Sequence, residues 1–329
     1  MNLHDKIRDQ LCPKYTIVTG ADPEFNHCPT ICEFGNGILL AYYGGIECTD
    51  RQKVFIEYWV NMKLITREHI WLKTGNPVLW NELGNAGLIF SLFIDNDLNG
   101  SFPVNPVDRW SYCINYYTNI SINNNKLSRS KLYRLKINPV IGCLGRCQPI
   151  YINNKILFPF YREKNPYGII IERCNNKWNR LGKIGDELNN FNGRFGYGSL
   201  IQPTLWVDTK GIIHSLSRDI TILHLAWYSK SLDFGYTWSK PIHTMIENYN
   251  NSLVAINDGS DNPFIIWNNS NIGRYNLTIG ELNNNNDDIK PIYVLSHDEA
   301  SYPNYCITKD NTLYTVFAKN RKIILNIGK

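Results

Sequence analysis

The sequence predicts an all-β fold arranged as a six-bladed β-propeller. Two observations lead to this prediction. A short apolar strand, a turn and a second apolar strand recur six times at intervals of tens of residues, and helical periodicity is almost absent. Radial repetition of small antiparallel sheets hides most strand edges, and it accounts for a long all-β chain without a linker. We therefore expect one domain over residues 1–329, with less than about a tenth of the chain in helices, against about a third in an average globular protein.

Each unit has the sequence of a hairpin, because turn formers such as Gly-Asn-Gly or Asn-Asn separate two apolar runs. The units lie at residues 30–44, 76–94, 148–161, 202–217, 252–268 and 304–318. Residues 15–20 form a strand before the first hairpin, which we expect to complete the last blade and close the ring. Residues 3–10 have room for one short turn of helix. The alternative folds are a pair of β-sandwiches, which would need a linker near residues 119–130, and a β-helix.

Composition and charge argue against several classes of function. The net charge is only +5, and Lys and Arg are spread along the chain, so we expect no nucleic-acid partner. The N-terminus lacks an apolar segment and no window approaches 18 apolar residues, so we expect no signal peptide and no membrane span, and we favour a cytoplasmic location. The nine cysteines show no zinc spacing, and we expect them to be reduced and mostly buried. We expect a monomer with no metal and no cofactor.

Residues 231–238 fit the pattern Ser-x-Asp-x-Gly-x-Thr-Trp, which is typical of a strand–turn–strand corner. Ser231 and Asp233 can hydrogen-bond the local backbone, and Gly235 supplies a turn position with positive φ. Trp238 is expected to pack between sheets. We therefore predict a structural role for this segment, which resembles the Asp box of sialidases.

Further motifs extend this resemblance over nearly the whole chain. They are His27-Cys28-Pro29-Thr30, Gly44-Gly45-Ile46-Glu47, Asn76-Pro77-Val78, Gln202-Pro203-Thr204 leading to Arg218, and Glu299-Ala300-Ser301-Tyr302-Pro303. In this order they resemble the sialidase (neuraminidase) superfamily of Asp-box, or BNR-repeat, propellers, and the bacterial predicted neuraminidases in particular. The resemblance implies a sialidase-like six-bladed propeller and an exo-acting glycoside hydrolase that removes a terminal acidic sugar from a glycan.

The resemblance also implies how the sugar carboxylate is bound. Sialidases use three arginines, because a planar guanidinium group matches a carboxylate with two parallel hydrogen bonds. Arg218 and Arg274 match two of these positions, and His27 occupies the place of the third. A protonated His27 would still favour an anion, although it cannot form the same fork. Gln202 and Asn76 are expected to line the cleft.

Tyr302 stands where sialidases carry their nucleophilic tyrosine. A phenol has a pKa of about 10, so this role needs a neighbouring general base. The matching position carries Gln202, which cannot accept a proton, so Glu299, Asp298 or Glu47 would have to substitute. Asp50 fits the loop that supplies the acid in sialidases, with Glu47 close behind.

Three functions therefore remain open. The first is hydrolysis of an acidic sugar, which the carboxylates Glu47, Asp50 and Glu299 favour because glycosidases work with paired catalytic groups. The second is a non-catalytic carbohydrate-binding propeller, which Gln202 and His27 favour. The third is a uronate-active hydrolase or lyase, in which a tyrosine and a histidine act as acid and base. The expected partner is a carbohydrate in each case.

Overall fold

The computed structural model describes residues 2–47, 49–70, 73–82, 84–94, 106–137, 141–185 and 199–328. The described residues are 60% strand and 3% helix, as the sequence predicts, and the strands form a six-bladed β-propeller. This arrangement excludes the sandwich pair and the β-helix. No helix among these residues is long and apolar enough to cross a membrane.

Each blade is an antiparallel sheet whose strands follow one another outward from the propeller axis. Blade 1 contains β2 (Asn26–Phe34), β3 (Gly37–Gly44), β4 (Lys53–Val60) and β5 (Lys63–Ile70); blade 2 contains β6 (Thr74–Glu82), β7 (Asn85–Phe93), β8 (Cys113–Asn123), β9 (Lys126–Arg129) and β10 (Tyr133–Arg134); blade 3 contains β11 (Cys143–Gly145), β12 (Ile150–Ile152), β13 (Lys155–Arg162), β14 (Gly168–Cys174) and β15 (Lys177–Ile184). Blade 4 contains β16 (Leu200–Val207), β17 (Ile213–Asp219), β18 (Leu225–Ser231) and β19 (Ile242–Glu247); blade 5 contains β20 (Val254–Ile256), β21 (Phe264–Asn268), β22 (Leu277–Leu282) and β23 (Ile289–Ser296); blade 6 contains β24 (Ala300–Ile307), β25 (Leu313–Lys319), β26 (Lys322–Gly328) and β1 (Tyr15–Thr19). A helix, α1 (Leu3–Arg8), precedes β1, and a 3-10 helix spans Pro106–Ser111. Each of the six hairpins predicted from the sequence corresponds to a pair of neighbouring strands near the axis.

The ring is closed by the N-terminal strand, as predicted. Strand β1 pairs with β26, in register from Tyr15 opposite Ile327 to Thr19 opposite Ile323. The first and last strands of the chain thus complete the same sheet. Helix α1 lies against this seam, where its side chain Ile7 is fully buried among apolar residues of blades 5 and 6.

The blades are held together by apolar side chains that face the neighbouring sheet. Trp80 of blade 2 is buried against blade 3, where its ring meets Phe158 edge-on with centroids 5.4 Å apart. The indole lies directly over Gly87 of the next strand, and any side chain at position 87 would collide with it. A fully buried large apolar side chain contributes about 1.5–3 kcal/mol. These inter-blade layers fix the inner strands around the axis.

Four inner strands begin with the same irregularity. Each has a non-glycine residue with left-handed backbone directly before a proline, followed by a shift in strand register. These residues are Cys28 (φ 55°), Asn76 (φ 44°), Gln202 (φ 51°) and Tyr302 (φ 55°). Residues before proline normally adopt extended backbone, and bulges of this kind redirect side chains next to functional sites. Because the inner strands all begin at the same end of the axis, the four side chains meet there.

Candidate functional site

Tyr302 lies at the centre of this end of the axis, with cationic groups around its ring. Its hydroxyl accepts a hydrogen bond from Nη1 of Arg218 at 3.4 Å. The Cζ atoms of Arg146 and Arg274 each lie 5.1 Å from the ring centroid, within cation–π distance. The imidazole of His27 meets the same ring edge-on, with centroids 4.5 Å apart. The structure thus brings Tyr302, Arg218, Arg274 and His27 together at one end of the axis.

Arg218 is buried at the end of the second strand of blade 4, and its guanidinium joins three side chains. Its Nε donates to Oδ1 of Asn250 at 2.8 Å, and its Nη1 donates to Oε1 of Gln202 at 3.0 Å. Gln202 in turn donates from Nε2 to the hydroxyl of Tyr161 at 3.2 Å. Gln202 therefore uses both ends of its amide, as an acceptor and as a donor, which a glutamate carboxylate could not do.

Arg146 is a third guanidinium group that the sequence prediction missed. It follows β11 of blade 3, it is completely buried, and it donates to the backbone oxygens of Pro303 (3.0 Å) and Pro29 (3.4 Å). These two prolines belong to the bulges of Tyr302 and Cys28, so Arg146 ties blades 6 and 1 together beneath the Tyr302 ring. Its Nε is buried without a hydrogen-bond partner in the residues that the structure covers. The prediction placed the third cation in blade 1, whereas it comes from blade 3.

His27 does not supply the positive charge that a protonated imidazole would bring. Burial, and then the charges of Arg274, Arg146 and Arg218, lower the pKa of His27 to about 3. The imidazole is therefore neutral near neutral pH and does not attract an anion by charge. Its contacts are with aromatic rings, including Tyr43 at a centroid distance of 5.8 Å.

Arg274 differs from the other two arginines because its side chain is only partly buried. It lies in the loop between β21 and β22 of blade 5, and its guanidinium makes no hydrogen bond or ion pair with the residues that the structure describes. Its donors are therefore available to a ligand that enters from the end of the axis.

The acid predicted at Asp50 is in an unfavourable environment for that role. Its side chain is 66% exposed and forms ion pairs with Lys73 at 3.1 Å and Arg109 at 3.2 Å. The hydrogen bond from Lys73, followed by that from Arg109, lowers the pKa of Asp50, whereas a general acid needs a raised pKa. Glu47 is also exposed, and its Oε1 accepts a hydrogen bond from the buried hydroxyl of Tyr43 at 2.8 Å.

Glu299 is exposed on the turn before β24, and the structure shows no contact between it and Tyr302. Within the described part of the chain, the Tyr302 hydroxyl has Arg218 as a partner and no carboxylate within hydrogen-bond distance. The structure therefore does not bring the predicted substitute base to the phenol.

A carboxylate that the prediction missed lies on the blade 3 side of the site. Burial raises the pKa of Glu163, which is close to the Tyr161 hydroxyl and to the charge of Arg218. The Tyr161 hydroxyl accepts hydrogen bonds from Asn76 Nδ2 (3.4 Å) and from Gln202 Nε2 (3.2 Å), so its own proton is free to be donated to Glu163. In the sequence, Glu163 stands between Arg162 and Lys164, and such a charged run is typical of an exposed turn.

The site as a whole is strongly cationic. Arg146, Arg218 and Arg274 converge on one phenol, His27 is neutral, and no carboxylate in the covered ranges is hydrogen-bonded to any of these arginines. The same ranges contain no group of three or more His, Cys, Asp or Glu side chains suited to a metal ion. Unpaired buried cations are costly, and an anionic ligand would compensate for that cost.

Comparison with known proteins agrees with the propeller fold. The pattern of the BNR repeat-like domain family matches residues 59–315. The structure resembles a protein of unknown function from Dyadobacter fermentans (TM-score 0.70, 14% identity, 96% of this chain and 98% of the other), a sialidase named Hz136 described as Hadza microbial (0.69, 12%, 93% and 66%) and the Trypanosoma rangeli sialidase (0.66, 12%, 92% and 54%). The chain thus spans only 66% and 54% of the two sialidases. No curated protein matches the chain. At these identities the likeness establishes the fold.

Proposed function

Because this chain belongs to the BNR repeat-like domain family, we propose that it binds the terminal acidic sugar of a glycan and cleaves its glycosidic bond. The observation that supports binding is the group of arginines without a carboxylate partner around Tyr302. Arg274 takes the sugar carboxylate with two parallel hydrogen bonds, as a guanidinium group can. Arg218, whose Nε and Nη1 already donate to Asn250, Gln202 and Tyr302, adds a hydrogen bond from Nη2. Arg146 is enclosed beneath the phenol and contributes charge without touching the sugar.

In the proposed hydrolysis, the Tyr302 oxygen attacks the anomeric carbon while the bond to the leaving oxygen breaks. The leaving oxygen takes a proton from an acidic side chain, and the phenol proton passes to solvent water because no carboxylate of the described residues lies beside it. Water then cleaves the tyrosyl intermediate and restores both groups. The surrounding guanidinium groups stabilise the negative charge of the attacking oxygen, which supports this role although no glutamate is adjacent. Glu163 is our candidate for the acid, because burial raises its pKa.

The binding step is tested by titration calorimetry with free sialic and uronic acids. Arg218→Lys and Arg274→Lys should each weaken binding by more than about tenfold, or about 1.4 kcal/mol, because lysine cannot form the fork. Arg134→Lys, at an exposed position in β10, is the matched control and should bind as the wild type does. Unchanged affinity in both site variants would contradict the assignment.

The hydrolytic step is tested with a panel of acidic aryl glycosides. Tyr302→Phe should abolish cleavage while it retains binding within a few-fold, because the ring still packs between the guanidinium groups. Full cleavage by this variant would exclude Tyr302 as the nucleophile. If the wild-type protein binds the sugars and cleaves none of them, the second candidate, a non-catalytic binding propeller, is the correct one. Gln202 in place of a base favours that candidate.

A further inference from the structure

A cavity lies between blades 2 and 3, at the end of the propeller opposite the arginines. Its volume is about 1050 Å³. The residues that line it come from the end of β6, the start of β7, the strand β8, and the hairpins β12–β13 and β14–β15. Inner strands begin at the Tyr302 end, so these segments lie at the far end.

The charges of this groove are already paired. Arg173 Nε donates to Glu82 Oε2 at 2.7 Å, and its Nη2 donates to Asn176 Oδ1 at 2.7 Å. Lys155 is paired with Glu172 at 2.6 Å. A charged ligand would have to break these pairs, so the groove is suited to a ligand that is polar and uncharged.

Tyr151 is oriented in an unusual way within the groove. A surface tyrosine usually buries its ring and leaves its hydroxyl in water. Here the hydroxyl is held by the backbone of Asn81, to whose oxygen it donates at 2.6 Å and from whose N–H it accepts at 3.1 Å. The residue is nevertheless 52% exposed. The fixed hydroxyl leaves the apolar ring in solvent, where it offers a rigid platform at little entropic cost.

Asparagine amides surround this platform. Asn153, Asn154, Asn175 and Asn176 have positive φ, so the turns themselves account for their presence. Asn85 and Asn119 are different, since they lie in strands, are exposed, and make no side-chain hydrogen bond within the residues that the structure describes. An amide both donates and accepts, which matches the hydroxyl groups of a sugar.

We infer that this groove binds a neutral oligosaccharide, with a sugar ring stacked on Tyr151 and hydroxyl groups bonded to Asn85 and Asn119. A neighbouring cavity of about 450 Å³ borders the groove at Asn81 and Tyr151, so a longer chain that leaves the groove at this point would meet a second concave surface. This site is separate from the arginine cluster and does not depend on the proposed hydrolysis. Binding of one glycan at both ends would raise the local concentration of acidic termini.

The experiment measures binding of short neutral oligosaccharides (glucans, mannans, galactans and N-acetylglucosamine oligomers) by saturation-transfer NMR and calorimetry. Tyr151→Leu should weaken binding by at least about tenfold because the platform is lost. Tyr151→Phe should weaken binding less than Tyr151→Leu, because the ring remains although its two hydrogen bonds to the Asn81 backbone are lost. Tyr15→Leu is the matched control, since Tyr15 is similarly exposed at 48% and lies in blade 6.

The amides are tested in the same assay. Asn85→Ala combined with Asn119→Ala should also weaken binding about tenfold, whereas Asn271→Ala combined with Asn285→Ala, at exposed positions in blade 5, should have no effect. Arg218→Lys should leave neutral binding unchanged, so failure of the acidic-sugar proposal is distinguishable from failure of this one. The inference is overturned if no neutral oligosaccharide binds, or if Tyr151→Leu binds as the wild type does.

Discussion

The two ends of the propeller axis use charge in opposite ways. At the Tyr302 end, Arg146 and Arg274 have no carboxylate partner in the covered ranges, and inner strands begin with left-handed bulges. At the far end, Arg173 is paired with Glu82, and the turns are built from asparagines. The charged groups of the far end are paired with their neighbours, whereas the Tyr302 end has unpaired charge and backbone strain. Such costs are typical of functional sites, because a ligand can offset them.

Hydrogen bonds between residue types that are common in catalysis indicate a functional site less strongly than unpaired charge does. His214 contacts the Tyr228 hydroxyl at 2.8 Å and Asp208 Oδ2 at 3.1 Å, which resembles a catalytic triad. However, burial, followed by the charge of Asp208, raises the pKa of Tyr228 to about 12, and burial lowers the pKa of His214. A phenol that resists ionisation is a poor nucleophile. The three residues instead join β16, β17 and β18 in blade 4.

The largest effect should come from Gln202→Glu, which supplies Arg218 with a carboxylate partner. The new charge would face the carboxylate of the bound sugar, and like charges so placed cost several kcal/mol. We expect affinity for an acidic sugar to fall at least about 100-fold, or about 2.7 kcal/mol. Gln202→Met, which adds no charge, is the control and should weaken binding less. A gain of hydrolysis with unchanged affinity would break the comparison, because a carboxylate at position 202 would then act as the general base without opposing the charge of the sugar.

A smaller effect should come from the far end, at the Asp box between β18 and β19. Asp233 Oδ1 accepts from the Thr237 N–H at 2.8 Å and from Ser231 Oγ at 2.8 Å, and its Oδ2 accepts from Thr237 Oγ1 at 2.6 Å. Asp233→Ala removes these acceptors and should lower the free energy of unfolding by about 1–3 kcal/mol. Urea unfolding measures this change, and Asp233→Asn should give an intermediate value. Loss of acidic-sugar binding at unchanged stability would contradict the structural role.

The sequence predicts the fold better than the site for a physical reason. Hairpins such as 202–217 are local, so their turn residues and apolar runs reveal them directly. The site depends on which side chains meet across the axis. Arg146 and Glu163 come from blade 3, where a short segment gives no sign that one side chain turns inward beneath Tyr302 and the other becomes buried. The residue–proline pairs of the four bulges were the available signal, since each marks an inner strand that redirects a side chain to the axis.

The smallest effect should come from His27, whose pKa falls to about 3 because burial and the neighbouring arginines disfavour its charged form. In the unfolded chain an ordinary histidine binds a proton below a pKa of about 6.5, while the folded protein does not. The unfolded state therefore takes up more protons as the pH falls, so stability is lost on acidification, by about 0.5–1 kcal/mol between about pH 7 and pH 6. His27→Phe keeps the ring contacts with Tyr302 and cannot titrate, so its stability should fall less over the same interval. Thermal unfolding at both pH values measures the difference. Affinity for an acidic sugar should show no step from His27 over this interval, and a step that disappears in His27→Phe would mean that the imidazole is charged after all.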